Sequence, residues 1–295
     1  MEKAMTKTAV MTDTNSGMTL KEAKELSVFL LPMPFFVNGE QFLEGVTLSR
    51  EEYFTAMREN AEVSTSQPSP IELIEMWETI FSEGYDELVY IPMSSGLSAS
   101  CDTANVTALD YEGKIQIVDN HRISVTQIQS VYNALDMVKQ GKTALEIKEA
   151  LEKSAYQASI YISVDTLYYL KKGGRITAAA AAFGTVLNIK PVLSIQGDKL
   201  DAFAKVRGMK AARKTMLDAI EKDIETRFAQ MYEQGKMRVC ISYSNVEDEI
   251  LQSWIEEVKA RFPGEKIQID PLSLSVCCHI GEGALAVAIC NTVEE

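Results

Sequence analysis

Histidine is nearly absent from this chain: His121 and His279 are the only two in 295 residues. Two distant histidines, with no cysteine pair at ligand spacing, argue against a zinc site. Cysteine is sparse as well. Cys101, Cys240, Cys277, Cys278 and Cys290 contain no C-x-x-C spacing. They read as reduced, mostly buried thiols of a cytosolic protein. No Walker A loop is present, so the chain lacks that means of cradling a nucleotide. Apolar runs are short. The tract Ala178 to Phe183, "AAAAAF", falls well below the length that spans a bilayer. The opening "MEKAMTKTAV" has no apolar signal core. Positive charge is also in deficit. Lys plus Arg number 29 against 42 Asp plus Glu, for a net charge of -13 and a pI near 4.8. That balance excludes the basic face nucleic acid requires and disfavours docking on an anionic membrane. A soluble cytoplasmic protein is expected, without nucleic acid or stable membrane insertion.

What is present is a full complement of core residues, 46% hydrophobic, enough for one large domain or two ordinary ones. Short apolar strands alternate with amphipathic helices. "AVMTD" (9–13), "LVYIPM" (88–93) and "IQIVDN" (115–120) read as strands. Between them, Leu73, Ile74, Trp77, Ile80 and Phe81 fall at helical spacing, capped by Ser69, Pro70 and Glu72 and closed by Gly84. Another helix is predicted from about Ser124 to Gly141. Thr143 and Glu146 form a further capping box. This rhythm predicts a parallel sheet with helices on both faces. The pattern changes near residue 158. "SIYISV" reads as a strand and "DTLYYLKKGG" as a short helix. "KPVLSI" and "LDAFAKV" read as a hairpin across the turn "QGDK". A long helix from Met209 to about Gln234 follows. After it come a strand "MRVCISYS", a helix "VEDEILQSWIEEVKARF", and the strands "KIQIDPLS" and "ALAVAIC". The fold class expected is two-domain α/β: a parallel-sheet N-terminal domain, 1–157, and a mixed-sheet C-terminal domain, 158–295. No Pro/Gly/Ser-rich linker, repeat or low-complexity tract intervenes.

Two hydroxyl clusters stand beside helix starts. In "TSQPSP" (65–70), Ser69 already caps the helix, so Thr65 and Ser66 are spare. "SSGLSAS" (94–100) directly follows a strand, where loops of a parallel sheet hold ligands. Neutral donors beside free backbone N–H groups suit a carboxylate or phosphate. The plain alternative is that Ser98 caps its helix and the rest is polar loop. His279 lies in "CCHIGEGA", between two apolar strands, and an imidazole there serves either a carboxylate or the core. His121 reads as surface loop. Arg175 in "YYLKKGGRIT" and Arg207 in "AKVRG" are suited to oxyanions, or simply to solvent. "GEGALA" (281–286) matches a dinucleotide fingerprint but precedes a strand rather than a helix, so it is rejected. Ser95, Asp119 and His279 occur in the chain order of an α/β-hydrolase triad, yet the G-x-S-x-G elbow is missing: "GLSAS" fails at its last position.

Taken together, "TDTNSG", "STSQPSP", "SSGLSAS", "VDN", "LYYLKKGGRIT", "IKPVLSI", "AKVRG" and "HIGEGA" resemble, in order and spacing, the DegV family of bacterial fatty-acid-binding proteins. That family includes the B subunit of fatty acid kinase. The resemblance implies a long-chain fatty acid buried in an apolar tunnel, with its carboxylate where the domains meet. Position by position, it implies Thr65, Ser66, Ser94, Ser95 and His279 as carboxylate-binding. It implies Arg175 and Arg207 as the face shown to a separate ATP-binding kinase subunit. Ala182 and Phe183 would line part of the tunnel, or else serve close packing. No catalytic residue, metal or cofactor is implied. The chain departs from the family pattern at Ser98-Ala99-Ser100, where Ser-Gly-Thr is usual. It departs again at Asn120, usually serine, and at Glu282, where a proline commonly stands. The function expected is a carrier that presents a fatty acid carboxylate for acyl phosphate formation. The alternatives are a serine hydrolase of acyl esters and a lipid-sensing module without a kinase partner.

Overall fold

The computed structural model describes residues 6–183, 189–197 and 199–293. Its strands are β1 Thr8–Asp13, β2 Val28–Leu31, β3 Pro34–Val37, β4 Glu40–Leu43, β5 Val63–Thr65, β6 Glu87–Ile91 and β7 Ile115–Ile117, then β8 Ala158–Ser163, β9 Ile189–Ile195, β10 Asp201–Arg207, β11 Met237–Tyr243, β12 Gln268–Pro271 and β13 Leu285–Asn291. Its helices are α1 Leu20–Leu26, α2 Arg50–Arg58, α3 Pro70–Ser82, α4 Ser100–Thr107, α5 Val125–Lys139 and α6 Ala144–Lys153, then α7 Tyr168–Gly173, α8 Ala178–Ala181, α9 Gly208–Glu225, α10 Ala229–Glu233, α11 Asp248–Arg261 and α12 Leu274–Ile280.

The fold is mixed α/β, with a parallel sheet in the N-terminal part and a mixed sheet in the C-terminal part. The first sheet has the order β2-β1-β6-β7, and every pairing is parallel. Its strands are apolar on both sides because both faces are covered. Val10, Val89 and Ile91 meet α1, α5 and α6, whereas Met11, Leu88 and Tyr90 meet α3 and α4. The second sheet has the order β10-β9-β8-β13-β11-β12. Its pairings are antiparallel except β11 with β12. Strand β8 shows how its two faces separate. Tyr161 turns toward α9, and its hydroxyl donates to Asp223 at 2.8 Å. Ile160 and Ile162 turn the other way, into the core that holds the cavity described below.

The capping boxes at Ser69/Glu72 and Thr143/Glu146 form as expected, with Pro70 in the first turn of α3. Three features differ from the sequence reading. Residues 34–65 build a small antiparallel sheet, β4-β3-β5, and α2. Their aromatics, Phe35, Tyr53 and Phe54, pack in the same core as the second sheet. The long helix expected from Met209 to Gln234 is broken between α9 and α10. There Phe228 turns inward to 3% exposure, and Arg227 reaches Ser159 at 2.7 Å. The segment carrying His279 is a helix, α12, rather than a link between strands. In the turn "QGDK", Asp198 lies outside the described residues.

Candidate functional site

The carboxyl ends of β1, β6 and β7 face one face of the second sheet across a cavity of about 240 Å³. Ligand sites at the carboxyl ends of parallel strands follow from the topology of such sheets. The second sheet supplies Ile160, Ile162, Ile195 and Ala286. The facing loops supply Met33, Met93, Leu97 and Ile123, and α12 adds Val276 and Ile280. Polar groups line the cavity at its outer end and again among its buried residues. Ser66, Gln67 and Ala99 are exposed at the outer end, with Ser98 half-buried beside them.

Inside this rim stands a hydrogen-bonded pair from distant parts of the chain. Thr65, at the end of β5, brings its Oγ1 to 2.9 Å from Nε2 of His279, on the last turn of α12. Burial and the nearby Arg175 guanidinium depress the imidazole to about 4, so it is neutral near pH 7. Its Nδ1 has no hydrogen-bond partner. Arg175 spans the cleft, with Nε donating to the carbonyl of Leu97 at 3.1 Å and Nη1 donating to that of Gly173.

The glycines of "KKGGR" explain themselves here. A Cβ on Gly173 would fall 2.1 Å from His279 Nδ1, so only glycine lets α7 approach the ring. Gly174 takes φ +69 as the αL cap of α7. Helix α12 is gripped from residues 34–65. The Glu44 carboxylate accepts from the backbone N–H of Leu274 and from that of Ser275 at 3.3 Å. Arg50 donates to the Leu272 carbonyl at 2.6 Å, and the Tyr53 hydroxyl lies 3.2 Å from the Cys278 sulfur. Burial lifts the Glu44 carboxyl to about 7.

The sequence-derived residues divide. Thr65, Ser66, His279 and Arg175 all line the cavity. Ser94 and Ser95 are not among its lining residues. The Ser94 hydroxyl donates to the Gly197 carbonyl at 2.6 Å, and the Ser95 N–H donates to Asp119 at 3.3 Å. Ser98 does line it, and its hydroxyl also accepts from the Ser100 N–H at 3.2 Å, but Ala99 takes the N-cap position of α4 and no side chain caps that helix, contrary to the plain capping alternative. Arg207 is exposed at the far end of β10. Ala182 is exposed, and Phe183 lies under the Lys205 ammonium at 4.5 Å; neither lines the cavity. Glu282 is turned aside by Arg58 at 2.8 Å and Asn245 at 2.7 Å.

The hydrolase triad does not assemble. Asp119 accepts from the N–H groups of Ser95 and His121, whereas His279 bonds Thr65 and has nothing at Nδ1 to orient it as a base. Sequence reasoning missed Asn15, Ser124, Ser242 and Ser275, which line the inner cavity. Among the described residues no group of His, Cys, Asp and Glu is placed to hold a metal ion, and no helix is long and apolar enough to cross a membrane. All five cysteines are buried and free.

Similarity to known proteins agrees with this architecture. A DegV domain-containing protein of Deinococcus radiodurans is 28% identical, over 95% of this chain and 97% of its own. Among solved structures, a DegV family protein from Thermus thermophilus described as fatty acid binding superposes with a TM-score of 0.84. It is 27% identical and covers 97% of this chain and 99% of its own. DegV of Bacillus subtilis, described as a fatty acid binding protein, gives 0.83 at 25% identity, over 97% and 100% of the two chains. The family model for uncharacterised proteins of the DegV family matches residues 7–292. This chain belongs to the DegV family.

Proposed function

We propose that this protein binds one long-chain fatty acid, lays the acyl chain in the aliphatic cavity and sets the carboxylate at Thr65. The observation that carries this reading is the Thr65–His279 pair at the neck of a cavity walled by Ile, Leu, Met and Val. Each buried CH₂ contributes roughly 0.8 kcal/mol, so a long tail supplies the affinity. The head group needs only orientation. A neutral His279 protonated at Nε2 donates to Thr65 Oγ1, which turns the hydroxyl proton outward to a carboxylate oxygen. Ser66 and Ser98 stand at the rim to complete the donor set, with Ser94 and Ser95 in the loop behind. Fatty acid binding by the Thermus and Bacillus relatives supports the same assignment.

The carboxylate held this way stays open to chemistry from outside. With no Walker A loop in the chain, the phosphoryl donor is a separate ATP-binding kinase subunit, and the product is an acyl phosphate retained on the carrier. Arg175, at the rim, and Arg207, exposed on β10, form the face offered to that subunit. The carrier needs no cofactor of its own. Native mass spectrometry and lipid extraction of the purified protein test the reading. One bound fatty acid per chain, or uptake of added palmitate or oleate, is expected. Neither occurring would reject it. Labelling by a fluorophosphonate probe, lost in Ser95→Ala, would instead favour the hydrolase.

A further inference from the structure

The cavity has a second polar pole, deeper than the first. Ser275 lies one turn before His279 on α12, and both line the cavity. Four residues of helix rise place the two about 6 Å apart along the axis. Around Ser275 gather Asn15, from the loop after β1, and Ser124, from the loop after β7. The Ser275 hydroxyl donates to Asn15 Oδ1 at 2.6 Å, and the Ser124 N–H donates to the Asn15 carbonyl at 3.0 Å. The Asn15 side-chain amide has a thioether as its acceptor, Met93 Sδ at 3.0 Å, which is a weak one.

Ser124 is the exceptional member. It occupies the N-cap position of α5, where a serine hydroxyl ordinarily accepts from the helix, but it makes no such bond. Its backbone sits at φ 54, ψ -135, a conformation costly for a residue with a side chain. The residue is 3% exposed, and its hydroxyl has no partner. A buried, unpaired hydroxyl costs free energy. A purely hydrocarbon chain threaded past this point leaves that cost standing.

We infer that this protein selects fatty acids bearing an oxygen, as a hydroxyl or keto group, within a few carbons of the carboxylate, the oxygen pairing with Ser124 and the Asn15 amide. This rests on the carrier reading above. The serine hydroxyl donates to a keto oxygen or exchanges bonds with a hydroxyl, and the amide donates to either.

Competition between palmitate and 3-hydroxypalmitate for the purified, delipidated chain, followed by native mass spectrometry, tests the inference. The 3-hydroxy acid is expected to win by roughly tenfold. The 16-hydroxy isomer, with its oxygen at the tail, is expected to gain nothing over palmitate. In Ser124→Gly, where glycine relaxes the positive φ, the ratio of the two affinities is expected to fall toward one. Ser275→Ala, which loosens Asn15, is expected to reduce the ratio in part. Equal affinities in the wild type would overturn the inference and leave the carrier reading intact, since a trapped water then satisfies Ser124. A preference unchanged in Ser124→Gly would overturn it too. Binding of none of these acids would remove the carrier reading itself.

Discussion

At the scale of single residues, the site depends on small groups placed with little tolerance. Thr65→Val keeps the shape of Thr65 and deletes its hydroxyl. Losing one hydrogen bond to a carboxylate costs roughly 1.5–3 kcal/mol, so fatty acid affinity measured by calorimetry is expected to drop at least tenfold with the fold unchanged. Gly173→Ala acts through sterics alone. Its methyl would arrive 2.1 Å from the His279 ring, and overpacking of that kind costs about 1–3 kcal/mol. Both the urea midpoint and lipid uptake are expected to fall. His279 also predicts a pH signature. The folded chain holds it near 4 against an ordinary 6.5. Between these values the unfolded chain takes a proton that the folded chain refuses. Its effect on stability is therefore favourable above about 6.5 and is lost as pH falls toward 4. Asp13, lifted by burial to about 6, and Glu44, to about 7, run the opposite way, because the folded chain holds their protons. Comparing wild type with His279→Asn cancels those two. The stability difference between the proteins is expected to be flat above pH 7. It should then move against the wild type by roughly 2 kcal/mol by pH 4.5. A flat difference across that range would show that the imidazole is not desolvated.

At the scale of elements, α12 is the part on which the site turns, and it was not legible in the sequence. Seven residues containing Ser, Val and two Cys carry no strong helical period, and helices that short are held by their neighbours rather than by propensity. Those neighbours are α7 and residues 34–65, the latter with strands of four, four and three residues that are too short to announce themselves. One signal was available: Asn38-Gly39, both at positive φ, joins β3 to β4, and that dipeptide marks a hairpin. Three of the four strands of the parallel sheet, by contrast, were readable, because they are apolar on both faces and alternate with helices of which α3 and α6 carry capping boxes, whereas the edge strand β2 went unread. The outer rim of the site was readable for a similar local reason, since Thr65 and Ser66 stand spare beside a helix already capped by Ser69. Asn15, Ser124 and Ser275 were not, because only tertiary folding brings two loops and α12 together. The grip of Glu44 on α12 can be measured. Glu44→Ala leaves the N–H groups of Leu274 and Ser275 without their acceptor. Stability is expected to fall by about 1–2 kcal/mol. Fatty acid affinity should fall with it, although Glu44 is not among the residues lining the cavity. Affinity unchanged in the face of lost stability would detach α12 from the placement of His279.

At the scale of the whole molecule, the two sheets are joined by polar contacts as well as by the cavity. Arg122, from the loop after β7, donates to Asn291 Oδ1 on β13 at 2.5 Å and to the Ser154 carbonyl at 2.8 Å. The Asn133 amide on α5 donates to the Asn291 carbonyl at 3.2 Å, and Arg238 on β11 reaches Gln129 at 3.0 Å. Arg122 is 2% exposed, so separating the sheets would leave a cation and its acceptors to find water. That coupling favours unfolding of both parts together. The cavity draws its walls from both, so a ligand inside it binds neither part alone. Anything that binds only the folded form raises stability by RT ln(1 + [L]/Kd), which is about 2.7 kcal/mol at a hundredfold excess over Kd. Calorimetry of the delipidated chain is therefore expected to show one transition, and saturating fatty acid is expected to move all of it upward. Two transitions, with lipid shifting one and leaving the other in place, would confine the acyl chain to a single unit and contradict a site built between the sheets.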